Sequence, residues 1–92
     1  MAEIIAAGTT NTSSADFTLA DGQSTTLSVK DANGNLPSGE LGGNLFIQIK
    51  SGTGYASFGE LTFKDPVKVL AAPGTFRTLR QNPILSYGVD RN

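Results

Sequence analysis

Leu45-Phe46-Ile47-Gln48-Ile49-Lys50, then Ser51-Gly52-Thr53-Gly54, then Tyr55-Ala56-Ser57-Phe58-Gly59-Glu60-Leu61-Thr62-Phe63, is the stretch that decides the fold class. In its first run Leu45, Ile47 and Ile49 fall on one face and Phe46, Gln48 and Lys50 on the other. That period of two belongs to a strand with one face buried. Two glycines in four residues turn the chain, and the second run reads as a long return strand, straight or bulged at Gly59.

The same pattern extends outward in both directions. Upstream, Asp16-Phe17-Thr18-Leu19 and Thr25-Thr26-Leu27-Ser28-Val29-Lys30 alternate on either side of Asp21-Gly22, and read as consecutive strands joined by a short turn. Asn33-Gly34 is the strongest turn pair in the chain. Residues 36–44 hold four glycines or prolines in nine and read as a longer loop. Downstream come Val67-Lys68-Val69-Leu70, an Ala71-Ala72-Pro73-Gly74 corner, Thr75-Phe76-Arg77-Thr78-Leu79-Arg80, and a short strand around Tyr87-Gly88-Val89. Eleven glycines and four prolines leave no window of ten residues in which helical spacing survives without one of them. The expectation is a single all-β domain: a small antiparallel β-sandwich, immunoglobulin-like, or a β-barrel, of about seven short strands. The corner before Phe76 mimics the packing of a tyrosine corner but lacks its hydroxyl.

The first thirteen residues do not share the pattern. Ile4-Ile5 precedes a Gly/Thr/Asn/Ser-rich run with no periodicity, so residues 1–13 read as a flexible N-terminal arm and residues 14–92 as the sandwich. Ile4 and Ile5 are then candidates for docking on a partner. On the domain itself Phe46 and Tyr55 are the candidate interface anchors, because each sits on a polar face or at a strand edge. Deleting residues 2–13 is expected to weaken partner binding and leave the fold intact.

The absence of histidine and cysteine removes Ser-His-Asp, Cys-His and thiolate- or imidazole-ligated metal chemistry. The eight acids lie mostly at turns, where they cap backbone donors. Asp31-Ala32-Asn33-Gly34-Asn35 resembles the opening of a calcium loop, but position 42, where the bidentate Glu belongs, is glycine. Neither Gly42-Gly43 nor Ser51-Gly52-Thr53-Gly54 is followed by a Lys-Ser/Thr pair that would make a phosphate loop. The expectation is a protein that is not an enzyme and takes no cofactor or metal. A net charge of −1 with scattered Lys and Arg gives no basic stripe for nucleic acid. No apolar run suits a signal peptide or a membrane span, and the lack of cysteine suits folding in a host cytoplasm.

Phe17-Thr18-Leu19-Ala20-Asp21-Gly22, Ile47-Gln48-Ile49-Lys50 followed by Gly54-Tyr55, and Val69-Leu70-Ala71-Ala72-Pro73-Gly74-Thr75-Phe76-Arg77 together resemble small proteins of tailed bacteriophages, encoded close to the major capsid gene. The resemblance runs over about residues 15–90. It implies a capsid decoration, or cement, protein: a structural virion component on the outer capsid surface, with the major capsid protein as partner and self-association as a trimer in some members. An immunoglobulin-like adhesion or carbohydrate-binding module of a phage tail or fibre is the alternative that the same composition allows.

Overall fold

The computed structural model describes residues 2–92. Every regular element is a strand: β1 (Ala2–Gly8), β2 (Thr12–Ser13), β3 (Phe17–Leu19), β4 (Thr25–Asp31), β5 (Asn44–Ser51), β6 (Gly54–Leu61), β7 (Val67–Leu70), β8 (Gly74–Gln81) and β9 (Tyr87–Arg91). They form two antiparallel sheets. One runs β1-β9-β4-β7; the other runs β2-β8-β5-β6, with β3 also on β8. Because side chains alternate across a strand, one face of each sheet can be apolar, and the two apolar faces close on each other. Leu27, Val29, Leu70, Tyr87 and Val89 of the first sheet meet Leu19, Leu45, Ile47, Leu61 and Phe76 of the second, all buried. Burying each such side chain contributes about 1.5–3 kcal/mol, so this layer holds the sheets together. The sandwich architecture is shared with immunoglobulin domains, but here the last two strands, β8 and β9, lie in opposite sheets.

Three features depart from the sequence expectations. The segment expected as a free arm is built into the fold: β1 pairs with β9, β2 pairs with β8, and Ile5 is 2% exposed in the core. The cause is an unfilled place beside β9, which only β1 completes, and an apolar gap under it that Ile5 fills. Met1 lies outside the described residues. Second, the Asp21-Gly22 turn forms, with Gly22 at φ 83°, but it carries the chain from β3 in one sheet to β4 in the other and makes no hairpin. Third, the bulge in β6 falls at Phe58, since Gly59 faces Ile47 and Ser57 faces Gln48. The extra residue turns Phe58 edge-on to the buried Phe76 ring, with centroids 5.0 Å apart.

Two details fix β1. Gly88 has to be glycine, because a Cβ there would lie 2.2 Å from the Ile5 carbonyl oxygen. Arg80, on the inner face of β8 and 3% exposed, donates from Nε to Thr10 O at 2.8 Å and from Nη1 to Ala6 O at 2.7 Å and Tyr87 O at 2.5 Å. A buried guanidinium with no carboxylate partner among the described residues thus ties β8 to β1, β9 and the β1–β2 connection.

Candidate binding surfaces

The four residues singled out in the sequence do not converge. Ile5 is core and not free to dock on a partner, and Ile4 is half-buried and packed against that core. The physical reason is β-pairing: β1 pairs along one edge with β9, and Glu3 reaches Lys30, which also holds Asp90 at 3.0 Å. Phe46 and Tyr55 lie on the outer face of the five-stranded sheet. Tyr55 is already engaged: its ring lies under the Arg77 guanidinium, 3.6 Å from the centroid, and its hydroxyl donates to both oxygens of Asp16 at 2.7 and 2.9 Å. Accepting that bond is worth more to Asp16 while the phenol keeps its proton, which pushes the Tyr55 pKa up. Tyr55 therefore straps β6 to the segment before β3. Phe46 is half-buried between Glu60 on β6 and Leu79 on β8.

The large apolar side chains that the fold leaves in water are elsewhere. Phe58, Val67 and Val69 lie on β6 and the edge strand β7, and Leu36, 55% exposed, Ile84, 73%, and Leu85, 53%, lie on the two loops at one end of the sandwich. The 32–43 loop starts from Asp31, whose Oδ1 accepts from the backbone N–H of Asn33 and Asn35 at 2.9 and 3.0 Å, so the carboxylate is committed to holding a turn. It returns through Gly42, at φ 74°, and Gly43. A Cβ on Gly43 would lie 2.5 Å from Asn82 O, and one on Gly42 would lie 2.8 Å from the Ile84 Cβ. The two loops therefore touch backbone to backbone. Asn82, the one non-glycine residue with positive φ among the described residues, is held by its N–H donating to Asn11 Oδ1 at 2.7 Å. Leu41 tucks into the core beneath, and a crevice of about 100 Å³ lies between Pro37 and Leu41 on one side and Leu85 on the other.

Sequence reasoning passed over this end because Pro83-Ile84-Leu85 reads as an ordinary connection. The only signal was a pair of adjacent large apolar residues directly after a proline. Among the described residues no cluster of three acids, histidines or cysteines could hold a metal ion. The chain matches no family model, no curated protein and no solved structure in the comparisons made.

Proposed function

We propose that this protein works by binding and not by chemistry, as a decoration protein that sits on the outer surface of a tailed-phage capsid and stabilises it through its loop end. The observation that carries the reading is the exposed Leu36, Ile84 and Leu85 on two mutually braced loops. Apolar side chains left exposed are a liability in water and an asset at an interface. Their loops are already ordered, so less conformational entropy is lost when a partner covers them. The phage reading itself rests on the resemblance of residues 15–90 to such proteins. A module that contacts neighbouring capsid subunits binds the assembled shell in preference to free subunits, and so stabilises the shell by mass action. The same end would serve a trimer on the shell if copies met there.

The test is co-sedimentation of the purified protein with empty capsids of the phage that encodes it. Wild type is expected in stoichiometric amounts in the pellet. The double variant Ile84→Asp/Leu85→Asp is expected in the supernatant with its β-sheet circular dichroism unchanged. Full decoration by the double variant, or no decoration by the wild type at saturation, rules the proposal out.

A further inference from the structure

On the outer face of the five-stranded sheet, Phe46, Gln48, Ser57, Leu79 and Gln81 line a depression of about 230 Å³. We propose that it is a subsite for one uncharged pyranose sugar. The inference stands on different residues from the loop-end reading and does not depend on it.

The floor is apolar, a phenyl ring and an isobutyl group side by side on adjacent strands, Phe46 facing Leu79. The other three lining side chains are amides and a hydroxyl. No lining residue carries a charge, and the charged groups nearby are engaged. Glu60 accepts from Asn44 Nδ2 at 3.2 Å, Arg77 stacks on Tyr55, and Asp16 takes the Tyr55 hydroxyl. Arg77 does one thing more: its Nε donates to Gln48 Oε1 at 2.8 Å. A guanidinium has only donors, so the amide must present its oxygen there, which leaves the Gln48 NH2 as the free end. The depression therefore offers an oriented donor from Gln48, a hydroxyl from Ser57 that gives or accepts, and an amide from Gln81 that does both. An anion finds no cation among the lining residues, and a wholly apolar ligand leaves the polar groups unmatched. A pyranose supplies both halves of the match. Its C–H face lies on Phe46 and Leu79, and its equatorial hydroxyls exchange hydrogen bonds with the rim. Its small size also suits a shallow site, with a Kd on the order of 1–10 mM from the efficiency of small ligands.

The experiment is an amide NMR titration of the full chain, side-chain NH2 signals included. The probes are methyl β-D-glucopyranoside, methyl β-D-galactopyranoside and N-acetylglucosamine, with N-acetylneuraminic acid and glucose 6-phosphate as charged counterparts. At least one neutral sugar is expected to give saturable shifts of the Gln48 and Gln81 side-chain amides and the Ser57 backbone signal. Phe46→Ala is expected to weaken that binding at least tenfold. Gln81→Ala, at an exposed position that leaves the fold untouched, is expected to weaken it several-fold. The proposal fails if no neutral sugar gives saturable shifts at the depression. It fails equally if the charged sugars shift the same signals as strongly, or if both variants bind like wild type.

Discussion

Arg80 is the residue on which the closed end of the sandwich turns. Most buried guanidinium groups are matched by a carboxylate, but this one is matched by the carbonyls of Ala6, Thr10 and Tyr87. Each carbonyl is drawn from a different stretch of chain, so one planar fork ties three backbone acceptors together, that of Tyr87 buried and the other two partly so. Arg80→Met keeps most of the volume and strips those acceptors of their donor, at about 1–3 kcal/mol for the buried Tyr87 carbonyl and less for the two that water can reach. We expect a large fall in the urea midpoint for Arg80→Met and nearly as large a fall for Arg80→Lys, because an ammonium cannot span the fork. A lysine variant as stable as wild type would show that charge, and not geometry, is what the site needs. Gly8 belongs to the same arrangement, since a Cβ there would lie 3.2 Å from Arg80 Nη2.

At the scale of the element, β1 is where sequence and structure part most sharply. Removing residues 2–13 takes away Ile5, β2 and two of the Arg80 acceptors at once. A buried Ile or Leu truncated to Ala costs about 2–5 kcal/mol, and the stability of a domain this size starts near 5. The truncated chain is therefore expected to lose its dispersed amide spectrum and cooperative unfolding. A folded truncation would mean that the rest of the sandwich closes without β1. The legibility of the elements follows their regularity. β5 and β6 were readable because Leu45, Ile47 and Ile49 alternate without interruption and a glycine-rich turn follows. β1 was not, because Ile4 and Ile5 are adjacent and its register on β9 shifts twice, which destroys the period of two. The crossing between β3 and β4 was hidden for another reason: a tight turn looks the same locally whether it joins neighbours or passes between sheets. Among the candidate site residues, Phe46 was placed on the correct face by alternation alone. The partners that engage Tyr55 come from residues 16 and 77, and no local pattern announces so distant a contact. β7 offers a different lesson. It is an edge strand with Val69 64% exposed, and its inner-face Lys68 pairs with Asp65 at 2.7 Å, which places charge beside an otherwise apolar edge.

For the molecule as a whole, the titration behaviour is set at the alkaline end. Among the described residues, three groups hold their protons more tightly in the fold than free in water. Lys30 is raised chiefly by its bond to Glu3, with burial opposing and Asp90 adding to the shift. Tyr55 is raised chiefly by the bond to Asp16. Tyr87 is raised by burial, with Arg80 opposing. A folded-state pKa above the unfolded value means the contribution is fully present below the unfolded pKa, near 10 for Tyr and 10.5 for Lys, and is lost as pH climbs past it. The urea midpoint is expected to change little on account of these groups up to about pH 9 and to fall steadily from about pH 10 upward. Tyr87→Phe and Tyr55→Phe should each make that fall shallower, whatever they cost at neutral pH. A midpoint that stays level or rises between about pH 10 and 11.5 would contradict the assignment.

The pairing of β1 with β9 also dictates a timetable. Ala2 faces Arg91, so the first strand of the sequence cannot be bonded until the last is in place. Closing a loop of almost the whole chain is the entropically costly step of assembly, and chains dominated by such distant pairings fold in milliseconds to seconds. Until then the edge of β9 that β1 will occupy stands open, a sticky seam for the same edge of another molecule. Crowded refolding should therefore yield exchanged dimers in which β1 of one chain completes the sheet of its neighbour.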